Sequence, residues 1–170
     1  MFTAGELVVY GGEGVCRVEG VGPSRIPGAE KNRLYYTLSP FWRTGQVLTP
    51  VDTRVLMRPI LTREEALELI FQMGSIEPES PALSSPRAIK EHYQQIVASY
   101  DCRRMVGLIR GITAKRRRAL EQGKKASQMD ERYLKRAEDQ LYGELAAALE
   151  LDFKAVGDYI RRTHPMWPEM

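Results

Sequence analysis

Apolar and polar residues alternate with two different periods along this chain, and the change falls near residue 60. Before it, "ELVVY" (6–10) and "GVCRVEGV" (14–21) alternate with period two, "RLYYTL" (33–38) is aromatic and β-branched, and "QVLT" (46–49) and "RVLMR" (54–58) are short runs separated by Pro50 and "VDT". Period two places successive side chains on opposite faces, so the five runs predict strands. Gly11, Gly12, Gly14, Gly22, Pro23, Pro27, Gly28, Pro40 and Gly45 supply the turns between them. Five short strands with almost no helical pattern predict a small closed or nearly closed barrel, in which each strand edge finds a partner. A barrel of this size buries little apolar surface and is expected to draw part of its stability from the rest of the chain.

After residue 61 the period lengthens. "TREEALELIFQM" places Ala66, Leu69, Ile70 and Met73 on one helical face, with Thr62 as cap and Glu65 where a capping box needs its acid. "GSIEPESPALSSP" (74–86) has no period and is rich in Ser, Pro and Glu, which predicts a linker or hinge. Ser85 then caps a helix with Pro86 in its first turn and a stripe of Ile89, Tyr93, Ile96 and Val97. Asp101 caps the next helix, which buries Met105, Val106, Leu108, Ile109 and Ile112 and leaves Arg103, Arg104, Arg110 and the run Lys115 to Arg118 outside. Gly123 breaks that pattern. Ser127 and Asp130 open a long helix with Leu134, Ala137, Leu141, Leu145 and Ala148 at helical spacing, and Asp152 is expected to cap a last short helix carrying Phe153, Val156, Tyr159 and Ile160. The fold class expected is α+β with the β part first, as a barrel over 1–61, a helix and linker over 62–86, and a helical bundle over 87–170.

Charge sharpens this division. Residues 1–72 hold eight Lys/Arg and eight Asp/Glu, whereas 87–136 hold fourteen against five, a net of +9, and 137–170 hold three against seven, a net of −4. Positive charge concentrated in one stretch suits a polyanion, with nucleic acid the leading candidate; a solvated helix face with no partner is the alternative. No apolar run reaches the roughly 18 residues of a membrane span, and "MFTAGELVVY" lacks the pattern of an export signal, so a cytoplasmic protein is expected. Cys16 and Cys102 have no CxxC partner, which argues against a zinc site or disulfide framework.

Candidate catalytic chemistry is sparse. "GGEG" (11–14) has neither the lysine nor the succeeding helix of a phosphate loop, and Glu13 would repel phosphate, so its glycines are read as turn residues. His92 and His164 have no GxSxG-type neighbour, and the acids Glu64 and Glu65 complement a helix dipole. No catalytic residue, metal or cofactor is expected, and a cleft joining His92 to a carboxylate or to Cys102 is the feature that would argue for an enzyme. "SPFWRTG" (39–45) offers Phe41, Trp42 and Arg43, residue types enriched at protein contacts, though packing within the fold accounts for them equally well.

Taken in order, "FTAGELVVYGGEGVCRVEGV", "RIPGAEKNRLYYTL", "VLTPVD" and "LMRPI" resemble the amino-terminal pattern of the CarD-like transcription regulators, a module shared with the transcription-repair coupling factor. "IVASYDCRRMVGLIRGI" and "YLKRAEDQLYGELAAAL" resemble the helical part of that family, so the likeness spans roughly residues 2–160. It implies an SH3/Tudor-like five-stranded barrel that binds the β subunit of bacterial RNA polymerase, and a helical domain that meets promoter DNA and stabilises the open complex. The matching polymerase-facing positions are Ser24, Arg25, Val47, Leu48 and Thr49. The family often has arginine where Leu48 stands, a basic residue where Ser24 stands, and proline and histidine where Gly11 and Glu13 stand. Its wedge tryptophan is replaced here by Pro86, leaving Arg87, Lys90, Arg132 and Arg136 as the expected DNA contacts. Four phosphate contacts give a slope of log affinity against log salt of about −3.6, a weak and largely sequence-independent grip that suffices for a factor tethered to polymerase. An interaction adaptor that never touches DNA is the competing expectation. No membrane and no small-molecule substrate is expected as a partner.

Overall fold

In the computed structural model, residues 1–80 and 85–169 are described. Met1–Ile60 and Leu61–Met170 form two compact units.

The first unit is a five-stranded antiparallel sheet of β1 (Leu7–Tyr10), β2 (Gly14–Pro23), β3 (Leu34–Pro40), β4 (Val47–Pro50) and β5 (Met57–Pro59), paired in the order β4-β3-β2-β1-β5. Val8, Cys16, Val18, Tyr36 and Leu38 form its core, as period two requires. Tyr36 is buried there while Tyr35, one residue earlier, is half-buried on the opposite face. The Tyr10 hydroxyl donates to Thr49 Oγ1 at 3.0 Å. These residues belong to β1 and β4, which are not neighbours in the sheet, so the sheet curls strongly; β4 and β5 end the pairing order with no ladder between them among the described residues. "GGEG" is the β1–β2 turn. The Glu13 N–H donates to the Tyr10 carbonyl at 3.0 Å, and Gly12, third in that turn, has φ 87°, the positive dihedral a type II turn requires.

The second unit contains α1 (Arg63–Gln72), α2 (Pro86–Ser99), α3 (Cys102–Glu121), α4 (Gln128–Leu149) and α5 (Val156–Thr163). Local chemistry starts the first four. Thr62 and Glu65 complete a capping box, Ser85 caps α2 with Pro86 in its first turn, Asp101 accepts from the N–H groups of Arg103 and Arg104, and Ser127 accepts from that of Asp130. Asp152 departs from expectation. It precedes a single 3-10 turn closed by the Ala155 N–H on its own carbonyl at 2.9 Å, so its side chain makes no capping bond. One core joins Ala66, Leu69 and Ile70 of α1 to Tyr93, Ile96, Ile109, Ile112, Leu141, Leu145 and Ile160.

The segment expected as linker or hinge is in part fastened to α3. The Glu79 N–H donates to the Gly107 carbonyl at 2.9 Å, Arg110 Nη1 donates to the Ile76 carbonyl, and His92 Nε2 lies 3.0 Å from Glu79 Oε2. A Cβ at Gly111 would meet the Glu79 carbonyl oxygen at 2.0 Å. Gly107 and Gly111, one turn apart, form the seat for this strap. Residues 81–84 of the expected linker lie outside the described residues.

Candidate protein and nucleic-acid interfaces

In the sheet unit, the expected polymerase-facing residues lie on one strand and just past the end of another, with a third strand between. Ser24 and Arg25 come directly after β2, whose Pro23 pairs with Leu34 of β3, and Val47, Leu48 and Thr49 belong to β4, paired with β3 on its other side. With β3 between them, β2 and β4 run roughly 10 Å apart. Arg25 is exposed, and Ser24 Oγ accepts from the Ile26 N–H at 3.1 Å, which rigidifies the bend after β2. Strand parity divides the β4 residues. Val47 packs on the sheet core and Thr49 is 2% exposed and bonded to Tyr10, so Leu48 carries its side chain on the outer face. Because β4 ends the sheet, one row of its N–H and C=O groups faces away from β3, a template for an added strand.

The loop between β3 and β4 continues this edge. Phe41 and Trp42 stack edge to face with ring centroids 4.8 Å apart, and the Arg17 guanidinium lies over the Phe41 ring at 5.7 Å. Trp42 remains 43% exposed. Arg43 pairs with Glu13 of the β1–β2 turn. The acid in "GGEG" therefore braces the neighbouring aromatic loop, a contact between residues 30 positions apart that local pattern does not reveal. On the far side of β4, Arg33 bridges Asp52 at 2.9 Å and Glu30 at 3.4 Å, and its hydrogen bond holds the Asp52 carboxyl below the usual carboxylate range.

In the helical unit a buried node joins three helices. Asp130 of α4 accepts from the Tyr93 hydroxyl of α2 at 2.9 Å and pairs with Lys115 of α3 at 3.0 Å, while the Tyr93 and Tyr133 rings meet at 5.5 Å. Burial, reinforced by Asp130, raises the Tyr93 phenol far above its ordinary range. Lys90 on α2 and Arg132 and Arg136 on α4 each lie within one helical turn of this node along their own helix, and Arg87 lies further out, in the first turn of α2. Among the described residues two of the four have an internal partner: Arg87 pairs with Glu91 at 3.3 Å and Arg136 lies over Tyr133 at 5.3 Å.

The chemistry reserved for an enzyme is built differently. His92 does meet a carboxylate, Glu79, but that pair fastens the strap. Cys102 Sγ donates to Glu144 Oε1 at 3.3 Å, inside the core, and the same carboxylate accepts the Leu61 N–H at 2.9 Å where the chain enters α1. Cys16 is fully buried and its thiol is pushed up to about 11 by burial, which keeps it protonated and unreactive. Among the described residues, no group of three or more His, Cys, Asp or Glu is placed to hold a metal ion, and no helix is long and apolar enough to cross a membrane.

Residues 2–61 match the family described as the CarD-like/TRCF RID domain. The matched segment coincides with the sheet unit, so that unit is a CarD-like domain, an interaction module, and it supports a transcription-related, RNA polymerase-binding role. The match stops at residue 61 and does not extend into the helical unit. No curated protein matches the chain.

Proposed function

We propose that this CarD-like chain is a bacterial, cytoplasmic transcription factor without enzymatic activity, which docks on the RNA polymerase β subunit through its sheet and lays its basic helices on promoter DNA, stabilising the open complex. The observation that carries the proposal is the β4 edge. In a domain of the polymerase-interacting family, it combines outward backbone groups, Leu48 on the outer face and the braced Phe41–Trp42 loop at its start. Thr49 takes part through its backbone, its side chain being committed to Tyr10. Arg25 and Ser24 extend the contact across β3.

DNA contact by Arg87, Lys90, Arg132 and Arg136 is supported by their exposure and by the net +9 of residues 87–136. One observation favours the adaptor alternative, in which the helices meet a protein instead: Arg87 and Arg136 already have partners within their own helices. The salt dependence of the polymerase–promoter complex separates the two. With four added phosphate contacts, the full chain steepens the log–log slope of promoter retention by about 3.6 relative to polymerase alone. An unchanged slope, with the chain still bound to polymerase, favours the adaptor.

A further inference from the structure

The end of α3 carries a cluster that the four expected DNA contacts do not include. Lys115, Arg116, Arg117, Arg118, Lys124 and Lys125 gather there with Glu121 as the one acid between them. The structure divides these cations. Lys115 pairs with Asp130 at 3.0 Å and Arg116 with Glu131 at 3.3 Å, so both serve to hold α3 against α4. Arg117, Arg118, Lys124 and Lys125 are exposed and pair with no carboxylate among the described residues.

The turn that presents them is ordered by its backbone. The Gly123 N–H donates to the Leu120 carbonyl at 3.0 Å and the Lys124 N–H to the Ala119 carbonyl at 2.8 Å, with Gly123 at φ 71°. This is a Schellman cap, which folds Lys124 back against the last turn of α3, and Ser127 caps α4 three residues later. Four unpaired cations are thus held at one corner of the helix pair on a fixed backbone, with side chains long enough to adapt to a polyanion.

We infer that this corner is a further docking point for the phosphate backbone of duplex DNA, added to the set on α2 and α4; the inference rests on the DNA-facing role proposed above. A lipid surface has the same headgroup chemistry but needs an apolar face beside the cations. Here the apolar residues of α3 from Met105 to Ile112 are buried in the core, and among the described residues Leu120 is the one large exposed apolar side chain at the corner. The contact carries no base specificity, since flexible cations on a turn reach phosphates and not base edges.

The test is binding of the full chain to a duplex of roughly 30 base pairs by fluorescence anisotropy, between about 50 and 200 mM salt. Substituting Arg117→Gln, Arg118→Gln, Lys124→Gln and Lys125→Gln together is expected to lower affinity at least about tenfold and flatten the log–log slope by about 2 or more, since each lost phosphate contact removes about 0.9. All four side chains are exposed, so the thermal midpoint should not move; the double variant Lys124→Gln/Lys125→Gln, giving about half the change, serves if it does. Wild-type chain that binds duplex while the fourfold variant binds it with the same affinity and slope overturns the corner and leaves the DNA-facing role standing. Wild-type chain that ignores duplex even at low salt overturns both. Vesicles of phosphatidylserine and phosphatidylcholine provide the remaining arm: a variant that loses vesicle binding but keeps duplex binding contradicts the assignment to DNA.

Discussion

Among the described residues, the sheet unit buries one polar side chain, Thr49, whereas the helical unit buries Asp130, Glu138 and Glu144 among its helices. In a sheet, the backbone ladders already tie neighbouring strands together, so the core can be apolar and the polar groups stay at edges and turns. Helices satisfy their own backbones and need side chains to bind them to one another. Asp130 joins α2, α3 and α4, and Glu144 joins α3 and α4 to the start of α1. The sheet unit is therefore suited to offering backbone to a partner, and the helical unit to holding charged faces in fixed places.

This contrast can be broken from the helical side first. Asp130→Ala strands the Tyr93 hydroxyl and Lys115, and is expected to cost about 3 kcal/mol in urea unfolding monitored by helix circular dichroism. An effect below about 1 kcal/mol would mean that the node does not tie the helices.

Glu138 is the exception among the buried carboxylates. Among the described residues its Oε1 has no hydrogen-bond partner, and burial, against the opposing pull of Arg116, pushes its carboxyl up to about 7. The folded pKa lies above the ordinary value of 4.5, so between about 4.5 and about 7 the folded protein holds a proton that the unfolded chain has released. The stabilisation is complete below that window, is lost as pH rises through it, and changes no further above it. Glu138→Gln is thus expected to stabilise the helical unit by roughly 3 kcal/mol near pH 8 and to leave it unchanged near pH 4, read from urea midpoints at both values.

A smaller effect is expected at the strap. Gly111→Ala places a methyl group where the Glu79 carbonyl lies, and the gain in helix propensity offsets part of the clash, for a net cost of about 1.5 kcal/mol. Hydrogen exchange should show the Glu79 amide losing protection while amides in the middle of α4 keep theirs. In the sheet unit, Thr49→Val removes the bond to Tyr10 at a cost of about 1 kcal/mol. A loss at Thr49 as large as that at Asp130 would erase the distinction between the units.

Features set by near neighbours were legible in the sequence. The caps at Thr62, Ser85, Asp101 and Ser127 depend on residues two or three positions away, and the apolar stripes of α2 to α4 come from period alone. Asp152 misleads because its residue type suits a cap while the turn after it closes through the backbone. The strap is hidden because Ser, Pro and Glu composition reads as linker and its seat on α3 lies 28 residues downstream of Glu79. Trp167 is equally hidden: in a short proline-flanked tail without period, it is buried and donates to the Tyr142 hydroxyl at 2.6 Å. At the candidate interfaces, resemblance pointed to whole stretches, but only the strand register shows that Thr49 turns inward and Leu48 outward. The partners of Arg43, Lys115, Arg116 and Arg136 could not be read from composition, which counts charges without pairing them.

The most direct test of the central claim is binding of the purified full chain to the RNA polymerase β subunit, comparing the wild type with Leu48→Glu. Saturable binding by the wild type, weakened at least about tenfold by Leu48→Glu and unaffected by removal of the cations at the end of α3, is the predicted result. A folded wild-type chain that fails to bind the β subunit would contradict the account.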